Sequence, residues 1–320
     1  MISILVTGGA GFIGSALCNR LVTLDYHVIC LDNFGQSSAR VKTIKEQFCH
    51  HKNFSIEIGD IRDVAFLRKV FNKYNFDIVI HLAGKGGVRE SISNIKEYID
   101  VNVTGSVNVL EEMKIAGVKS LIFASSSSVY GESTSTQSET DPCNQQLSPY
   151  ATSKKVIEEL NYTYYLNFGF KVLNLRFFSV YGENQRNGML IHEAFKAGYD
   201  RKNLPIYGDG HQTRDFTHIN DVTQSLVKAI KISLDKNYLY EIINIGSGSP
   251  VSVNKLLDMV EQELGFPLNR NYMDVQLGDV INTHACIRKA NEKLQCTPET
   301  NIKLGVRNFH KWFKKNNGIK

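Results

Sequence analysis

The strongest constraint on the fold is a glycine-rich turn that directly follows an apolar strand. Residues Ile2–Thr7 predict a buried strand, and the next residues, GGAGFIG, open a predicted helix that ends near Leu24. Gly8, Gly11 and Gly14 allow a tight turn, close approach of a pyrophosphate, and close packing of helix on strand. The free N–H groups and dipole of the helix favour an anion there. The turn therefore predicts a dinucleotide site, the alternative being a purely structural glycine turn.

A second strand narrows the choice of dinucleotide. The predicted strand His27–Leu31 ends in Asp32. A carboxylate at this point accepts hydrogen bonds from an adenosine ribose and repels a 2′-phosphate. The pattern therefore favours NAD over NADP as the cofactor.

Strands and helices continue to alternate along the first half of the chain. Strands are predicted over Phe54–Ile58, Asp77–Leu82 and Lys171–Arg176, and helices over Val64–Tyr74 and Ile95–Ala116. Such a succession builds a doubly wound parallel (Rossmann) sheet of the α/β class. Ligands of this fold bind outside the carboxyl ends of the strands.

A serine-tipped strand and the helix after it carry the predicted chemistry. The apolar residues Leu121–Phe123 lead into a run of serines, as in a buried strand that ends in hydroxyls. A helix capped by Ser148 then places Tyr150 and Lys154, four residues apart, on one face. A nearby ammonium lowers the pKa of a phenol, and a hydroxyl from Ser126 completes a proton-handling site.

This set of residues gains its weight from the dinucleotide site. With 14 tyrosines in a lysine-rich chain, roughly one Tyr-x-x-x-Lys arises by chance. Coupled to NAD, however, Ser126, Tyr150 and Lys154 imply hydride transfer at a carbinol carbon, with the phenolate taking the hydroxyl proton. Lys154 is expected both to lower the pKa of Tyr150 and to hold the nicotinamide ribose.

The alternation stops beyond Gly182. Helices are predicted over Met189–Tyr199, Asn220–Ile232, Val253–Leu264 and Ile302–Lys315, with a short strand over Leu204–Tyr207. This part predicts a smaller α/β domain that closes a cleft over the sheet. We therefore expect an NAD-binding domain over residues 1–180 and a substrate domain mainly over residues 181–320, with a segment around residues 217–248 returning to the first domain.

Composition narrows the classes of function. The net charge of +5 is spread along the chain without a basic run among aromatics, so nucleic acid is not a predicted partner. No apolar stretch approaches the ~20 residues of a spanning helix, and the N-terminus lacks a signal-peptide pattern, so no membrane is predicted. The 6 cysteines contain no C-x-x-C pair and predict reduced thiols in the cytoplasm. No motif predicts a metal site.

Several motifs occur together in a recognisable order. They are TGGAGFIG, HLAG, SSSSVYG, YATSK, GDG followed by RDF, and LGDV. With them the whole chain resembles an extended short-chain dehydrogenase/reductase of the nucleotide-sugar epimerase group. The resemblance implies an NAD-binding domain and a smaller domain for a nucleoside diphosphate sugar. It also implies oxidation of the sugar at C4, rotation of the 4-keto intermediate, and return of hydride to its other face.

The resemblance further implies the residues of the site. The catalytic set is Ser126, Tyr150 and Lys154. The expected cofactor contacts are Gly8, Gly11, Phe12, Ile13, Gly14, Asp32, Asn33, Asp60, Ile61, Leu82, Ala83, Gly84, Lys85, Asn102, Ser125, Tyr150, Lys154 and Phe177. The expected substrate contacts are Lys85, Arg89, Ser126, Ser127, Ser128, Tyr150, Ser179, Arg186, Ile206, Tyr207, Arg214 and Asp279. Arg214 is expected at the diphosphate and Asp279 at the uridine ribose.

Two neighbouring subgroups fit the sequence less well. Sugar 4,6-dehydratases and decarboxylases typically place an acidic residue directly before VYG, where this chain has Ser127 and Ser128. Epimerases of the GDP-mannose type use a cysteine beside the catalytic serine, and this chain has a serine there. The resemblance therefore favours a plain 4-epimerase.

The sugar is inferred from a few positions. Glucuronate 4-epimerases carry a small hydroxyl residue at the position of Ser179 and arginines at the positions of Arg89 and Arg186, whereas UDP-glucose 4-epimerases usually carry Asn at the first. A guanidinium binds a C6 carboxylate through two hydrogen bonds. The chain departs from the glucuronate pattern at residues 183–185 and 187, and at Lys85, where those enzymes tend to have Gln. We expect conversion of UDP-glucuronate to UDP-galacturonate.

Three alternatives stay open. One is a UDP-N-acetylglucosamine or UDP-glucose 4-epimerase, and another is a net oxidoreductase that releases NADH. A third, from a different class, is a non-catalytic NAD-binding scaffold, because a fold alone does not compel activity. The resemblance also implies a homodimer built from the helices near Ile95–Ala116 and Ser153–Phe168.

Overall fold

The computed structural model describes residues 1–35, 44, 46–48, 50–133, 135–235 and 240–319. The strands are β1 (Ser3–Thr7), β2 (His27–Asp32), β3 (Phe54–Ile58), β4 (Ile78–His81), β5 (Ser120–Ser126), β6 (Lys171–Phe177), β7 (Ser179–Tyr181), β8 (Asn203–Tyr207), β9 (Thr213–Arg214), β10 (Phe216–His218), β11 (Tyr240–Ile245), β12 (Val251–Ser252) and β13 (Asn269–Met273). Within these described ranges, the central sheet has 7 strands in the order β11-β6-β5-β4-β1-β2-β3. Every pairing in it is parallel, which confirms the predicted α/β doubly wound fold.

Helices cover both faces of this sheet and continue beyond it. They are α1 (Phe12–Thr23), α2 (Val64–Lys73), α3 (Val88–Ser93), α4 (Ile95–Ile99), α5 (Gly105–Ala116), α6 (Pro149–Phe168), α7 (Leu190–Asp200), α8 (Ile219–Ser233), α9 (Val253–Leu264), α10 (Arg288–Leu294) and α11 (Ile302–Asn316). A single π-helical turn over Asp100–Thr104 joins α4 to α5, and a 3₁₀ turn over Ser127–Tyr130 follows β5.

The order of the strands places a binding crevice at the centre of the sheet. The chain runs outward from β1 through β2 to β3, then returns to β4 on the other side of β1 and runs outward to β11. Connections therefore leave β1 and β4 in opposite directions at their carboxyl ends. Open α/β sheets bind ligands at this switch point.

The sheet is buried because apolar helix faces cover it on both sides. Residues of β1 such as Ile4 and Leu5 are fully buried. One apolar cluster joins Ile4 to the helices α1 and α8, through residues such as Leu17 and Leu226. The other joins Leu5 to α2, α5 and α6, through residues such as Ile157. Burial on both faces explains why these strands read as continuous apolar runs in the sequence.

The predicted long helix over Ile95–Ala116 differs in detail from the observed one. The helical path is continuous, but a π-helical turn over Asp100–Thr104 divides it into α4 and α5. Asn102 lies in this turn and is almost fully buried. Single π turns within α-helices often lie at functional sites. Nothing in the local sequence distinguishes such a turn from regular helix.

The C-terminal half is built from short pairs of strands and amphipathic helices. Strand β8 pairs with β13, β7 with β10, and β9 with β12. The predicted strand over Leu204–Tyr207 corresponds to β8, whereas the 2- and 3-residue strands are too short to show a periodicity in the sequence. Within residues 217–248, α8 packs on the main sheet and β11 pairs with β6, while residues 236–239 lie outside the described ranges.

Two further findings concern the membrane and thiol predictions. In the part of the chain that the structure describes, no helix is long and apolar enough to span a bilayer. The cysteines in those ranges, which exclude Cys49, are free thiols.

Candidate active site

The glycine-rich loop has the geometry of a pyrophosphate cradle. Helix α1 begins at Phe12, and its N-cap residue Gly11 has no side chain to cap it, which leaves the first N–H groups of the helix available to an anion. A Cβ atom on Gly14 would lie 2.1 Å from the carbonyl oxygen of Gly8, and a Cβ atom on Gly8 would lie 2.7 Å from the backbone nitrogen of Ala83. Only glycine fits at these two positions, so the loop lies flat against the end of β4.

Asp32 is held at the end of β2 by the same loop. Its carboxylate accepts hydrogen bonds from the backbone N–H groups of Ala10, at 3.0 Å, and Phe34, at 2.8 Å. These two bonds fix the direction of the carboxylate beside the glycine turn. The position fits the predicted contact with an adenosine ribose.

Asp60 and Asn33 form a polar group at the neighbouring strand ends. The side-chain amide of Asn33 donates to Asp60 over 2.9 Å, and the guanidinium of Arg62 donates to both oxygens of the same carboxylate. These hydrogen bonds, that of Arg62 first, hold the pKa of Asp60 well below its usual value. The carboxylate therefore stays ionised and can accept a hydrogen bond from an amine of a bound cofactor.

Five of the predicted cofactor contacts have large apolar side chains, so their side chains offer a cofactor packing surface and no hydrogen bonds. Phe12 and Ile13 lie in the first turn of α1 and are half-buried. Ile61 is buried against α5, where a Cβ atom on Gly105 would lie 2.6 Å from its side chain. Leu82 follows β4, and Phe177 ends β6 beside Ser126 of β5. All five lie at the carboxyl edge of the sheet or next to it.

The loop after β4 is positioned by Asn102. The side-chain amide of Asn102 accepts from the backbone N–H of Lys85 at 2.7 Å and donates to its carbonyl oxygen at 3.0 Å. It also donates to the hydroxyl of Ser153 on α6. Because these bonds occupy its polar atoms, Asn102 supports the cofactor site through the backbone of Lys85. The π-helical turn thus explains how a buried side chain reaches this loop.

The three predicted catalytic side chains converge from a strand end and a helix start. Ser126 is the last residue of β5, and Tyr150 and Lys154 lie in the first two turns of α6. Helix α6 begins at Pro149 because the hydroxyl of Ser148 accepts the N–H of Ala151. The Ser126 hydroxyl lies close enough to the Tyr150 phenol to lower its pKa. The sequence therefore predicted correctly which elements carry these groups.

Lys154 carries a buried ammonium that makes one hydrogen bond to the described part of the chain. Its Nζ donates to the carbonyl oxygen of Ala124 at 2.8 Å and lies 3.4 Å from the position of a Cβ atom on Gly84. Burial lowers its pKa from 10.5 to about 8. The ammonium thus faces the loop that is expected to carry the cofactor, with donor capacity left for a ribose.

The pKa of Tyr150 is affected by burial, by Ser126 and by Arg186. Burial raises it, whereas the Ser126 hydroxyl and the positive charge of Arg186 lower it. Lys154 was also expected to lower this pKa, and its ammonium donates to the carbonyl oxygen of Ala124. Arg186 was expected only as a substrate contact and has this second effect.

The serines after β5 form a hydroxyl cluster. The hydroxyl of Ser126 donates to that of Ser128 at 3.1 Å and accepts the backbone N–H of Ser128. Ser127 opens the 3₁₀ turn, and Ser179 begins β7, with its backbone N–H bonded to the carbonyl of Asp215. Ser126 supplies a neutral hydroxyl beside the phenol of Tyr150. Ser127 and Ser128 follow it in the turn, and Ser179 follows the neighbouring strand β6.

Arg186 lies at the phenol end of the site. It donates to the carbonyl oxygen of Gly86 at 3.1 Å, the same oxygen that accepts the hydroxyl of Tyr98 at 3.0 Å. The rings of Tyr98 and Tyr150 are edge to face, with centroids 6.4 Å apart. The Arg186 side chain is otherwise exposed and retains unused donors. Sequence reasoning missed Tyr98, because its position depends on how α4 packs on α6.

A second group of predicted substrate contacts lies around Asp279. Arg89 forms an ion pair with Asp279 at 2.5 Å, and its guanidinium lies 4.1 Å from the ring centroid of Tyr207. Arg214 donates to the carbonyl oxygen of Ile281. Ile206, next to Tyr207 in β8, is buried. Arg89 therefore belongs with the residues predicted for the nucleotide, although the sequence had grouped it with Arg186.

The ammonium of Lys85 is paired with acidic side chains of the protein. Its ammonium forms an ion pair with Glu97 at 2.6 Å and lies 3.7 Å from Glu90. It also lies 5.5 Å from the ring centroid of Tyr98. The remaining predicted cofactor contact is Ser125, whose hydroxyl donates to the carboxylate of Glu158.

The fold and the site together define a Rossmann-type dehydrogenase site, in which a dinucleotide cradle adjoins a Ser-Tyr-Lys set. Residues 4–246 match the model of the NAD dependent epimerase/dehydratase family. The chain belongs to that family.

Its relatives include enzymes with stated substrates. A UDP-glucuronate 4-epimerase of Thermodesulfobacterium geofontis is 37% identical over 319 residues, covering 98% of this chain and 96% of the relative. The crystal structure of a Bacillus cereus UDP-glucuronic acid 4-epimerase in complex with UDP-glucuronic acid and NAD has a TM-score of 0.92, with 35% identity, 98% coverage of this chain and 100% of that one. A Bifidobacterium longum UDP-glucose 4-epimerase with NAD+ and UDP has a TM-score of 0.91, with 28% identity and coverage of 99% and 100%.

Replacing Lys154 by Met is expected to stabilise the nucleotide-free protein at neutral pH. The folded state binds the lysine proton more weakly than the unfolded chain, so the charged form opposes folding fully below pH 8 and ceases to do so above pH 10.5. The gain in unfolding free energy should be about 3 kcal/mol at pH 7 and should shrink as the pH rises. Denaturant unfolding at several pH values measures it, with the exposed Lys196→Met as the control. A Lys154→Met variant less stable than wild type at pH 7 would contradict the analysis.

Proposed function

We propose that this protein is an NAD-dependent UDP-sugar 4-epimerase that converts UDP-glucuronate to UDP-galacturonate. The observation that carries the choice of sugar is the position of Arg186, whose exposed guanidinium lies beside Tyr98 and the catalytic Tyr150. A guanidinium next to the reacting hydroxyl group matches a carboxylate on the adjacent part of the same sugar ring. The UDP-glucuronate 4-epimerases among its relatives support this choice.

The residues of the cradle fit NAD. The glycine loop with the uncapped start of α1 accommodates a pyrophosphate, and Asp32 accommodates a ribose. When bound, NAD supplies a hydride acceptor that also returns the hydride. The chain's own task is to orient the sugar, hold the ammonium of Lys154 at the ribose and move the hydroxyl proton.

Tyr150 performs the proton transfer in this proposal. Its phenolate removes the proton from the C4 hydroxyl as the carbon is oxidised, and its phenol returns a proton when the 4-keto sugar is reduced on its other face. Ser126 holds the C4 oxygen at the phenol. Its hydroxyl and the charge of Arg186 offset part of the rise in the pKa of Tyr150 that burial causes. This offset makes the phenolate accessible nearer neutral pH.

The hydroxyl cluster suits rotation of the keto sugar. Ser126, Ser127 and Ser128 offer neutral hydroxyls that can exchange partners as the sugar turns. None of the three side chains is acidic, so this turn supplies no carboxyl group for elimination of water. The chemistry proposed therefore stops at epimerisation.

We infer that the nucleotide is bound by residues of both halves of the chain. Tyr207 and the buried Ile206 offer an apolar strand for the uracil, Asp279 offers acceptors for the ribose, and Arg214 offers a cation for the diphosphate. Arg89 on α3 pairs with Asp279 across the cleft. This division supports an NAD domain over residues 1–180 with the segment around 217–248, and a mainly substrate-binding remainder.

A second candidate is a UDP-glucose or UDP-N-acetylglucosamine 4-epimerase. Lys85 favours it, because glucuronate enzymes tend to have Gln at this position, and its ammonium is already paired with Glu97. Residues 183–185 also differ from the glucuronate pattern. The candidates share the NAD site and the proton transfer. Their sugars differ at C5, which carries a carboxylate in glucuronate and a hydroxymethyl group in the others, and N-acetylglucosamine also carries an acetamido group at C2.

Purified protein with NAD is expected to interconvert UDP-glucuronate and UDP-galacturonate faster than the glucose and N-acetylglucosamine pairs. Chromatography or NMR of the UDP-sugars measures the rates. Tyr150→Phe should retain bound NAD and lose turnover, because the phenol moves the proton. Faster turnover of a neutral sugar would overturn the choice of sugar. Full activity of Tyr150→Phe would support a scaffold, and stoichiometric NADH release a net oxidoreductase.

Arg186 and Arg89 are expected to give opposite substrate profiles. Arg186→Met should lower kcat/KM for UDP-glucuronate by about 10- to 100-fold more than for UDP-glucose, because both sugars lose the effect of Arg186 on Tyr150 and only the carboxylate also loses a charged donor. Arg89→Met should lower both by a similar factor, because its partners Asp279 and Tyr207 lie at the nucleotide end. Initial rates with both sugars test this pair. If Arg186→Met, like Arg89→Met, lowered kcat/KM equally for the two sugars, Arg186 would not bind the carboxylate.

We further infer a homodimer that buries the outer face of α6. Large apolar side chains are exposed on this helix, including Leu166 at 59% and Phe168 at 40%, and Ile115 on α5 is exposed at 61%. Exposed apolar residues concentrated on two helices are typical of an interface between subunits. A cytoplasmic location is inferred from the free cysteine thiols and from the cofactor.

Replacing Leu166 by Asp is expected to convert the dimer to a monomer. A carboxylate at the centre of an apolar interface is costly to bury. Light scattering after size-exclusion chromatography gives the mass, and Leu304→Asp, at an exposed leucine of α11, is the matched control. A wild-type monomer, or a dimer that survives Leu166→Asp, would contradict the proposed interface.

A further inference from the structure

A buried ion pair lies directly behind the catalytic residues and is not part of the proton transfer. Glu158 on α6 and Arg176 on β6 are 1% and 2% exposed. The guanidinium donates through Nε to Oε1 at 2.9 Å and through Nη2 to Oε2 at 2.7 Å. Such a paired geometry fixes the relative position of two elements more tightly than a single hydrogen bond.

The same carboxylate also reaches the strand that carries Ser126. The hydroxyl of Ser125 donates to Oε1 of Glu158 at 2.6 Å. Ser125 and Arg176 are direct partners in the pairing of β5 with β6. Glu158 therefore bonds to two neighbouring strands at one level, immediately beside the catalytic serine.

On the helix, Glu158 follows the catalytic residues along one face. It lies one turn beyond Lys154 and two turns beyond Tyr150. A rigid helix transmits a shift at Glu158 to both of these side chains. The contact of Glu158 with Ser125 thus joins α6, which carries Tyr150 and Lys154, to β5, which carries Ser126.

Further polar contacts hold the pair from the other side. The guanidinium of Arg176 lies 4.7 Å from the ring centroid of Tyr130, in the turn after Ser126. The hydroxyl of Tyr130 donates to the side chain of Asn244 at 2.7 Å, and Asn244 is the partner of Arg176 in β11. The network therefore spans α6, the turn after β5, and three strands.

Stability alone is a poor reason for such a pair. The desolvation of two buried charges offsets most of their attraction, and well-packed apolar residues of similar size often stabilise a fold equally well. What apolar side chains lack is a directional bond to a particular strand position. The place of the pair at the level of Ser125 therefore indicates a geometric role.

We propose that Glu158 and Arg176 are positioning residues that hold Tyr150 and Lys154 in register with Ser126. The proposal rests on the proton transfer of the proposed function and is independent of which sugar is bound. Displacement by a fraction of an ångström at Glu158 would lengthen the contact between the hydroxyl of Ser126 and the phenol. Misplacement of about 1 Å can lower a rate by about 100-fold.

The chain supplies a matched control on the same two elements. Asn161 on α6 donates to Asn174 on β6 at 2.7 Å, and both side chains are fully buried. This pair lies nearly one turn farther from the catalytic residues than Glu158. It shares the helix, the strand and the burial of the ion pair, but within the described ranges neither of its side chains hydrogen-bonds to β5.

The test compares two double variants of the NAD-bound enzyme. Glu158→Leu with Arg176→Met removes the ion pair without leaving an unpaired charge, and Asn161→Leu with Asn174→Val removes the control bond. The first is expected to lower kcat by about 10- to 100-fold with little change in KM or bound NAD, because the substrate and cofactor contacts remain. The second is expected to keep kcat within about twofold.

The pH profile separates positioning from a general loss of structure. The Ser126 hydroxyl lowers the pKa of Tyr150, so moving it away from the phenol should shift the rising limb of kcat to higher pH in the Glu158 and Arg176 variant only. The assay uses the UDP-sugar that wild type turns over fastest. An inactive wild type would refute the proposed function. An active wild type, with both double variants matching it in kcat and pH limb, would refute the positioning role.

Ser125→Ala provides a second measurement if the double variant does not fold. It removes the bond between β5 and Glu158 and changes no charge. A fall in kcat with bound NAD retained, and the same alkaline shift of the limb, would support the proposal. Unchanged kcat in Ser125→Ala would overturn it.

Discussion

The site depends on the burial of one ammonium group at the edge of a parallel sheet. Lys154 lies behind the loop after β4 with one carbonyl of Ala124 as its partner, and this burial depresses its pKa. Such a group opposes folding unless something else at the site uses its charge. The protein tolerates this cost because the sheet and its helices bury ample apolar area elsewhere. The buried ammonium of Lys154 thus lowers the free energy of unfolding, and it places a positive charge where a cofactor ribose is expected.

The phenol beside it is under competing influences. Burial raises the pKa of Tyr150, which suits a proton donor, whereas Ser126 and Arg186 lower it, which suits a base. A 4-epimerase needs both states within one turnover, since the same oxygen must accept a proton and give it back. A pKa held by opposing effects is easier to adjust by a bound substrate than one fixed by a single strong partner. In the proposed function, Arg186 links the carboxylate of the sugar to the acid and base chemistry of Tyr150.

The parts of this structure that the sequence predicts are those fixed by local pattern. The glycine turn, the apolar strands, and the pair Tyr150 and Lys154 on one helix follow from spacing within short segments. The π-helical turn that directs Asn102 to the backbone of Lys85 does not, because it is stabilised by contacts with distant residues. Tyr98 was missed for the same reason. The contact of Arg89 with Asp279 was not predicted either, because the two residues are 190 positions apart in the chain.

The cleft itself shows why substrate choice is harder to infer than reaction type. The groups proposed for proton transfer all come from β5 and from α6, a helix that packs directly on β5. The groups proposed to bind the substrate come from separate segments of both halves: Arg89 from the short helix α3, Arg186 from the loop after β7, and Asp279 from the loop after β13. Loops tolerate change because they carry little of the core. A family can therefore keep one reaction while its members differ in sugar, and only side-chain geometry in the cleft separates them.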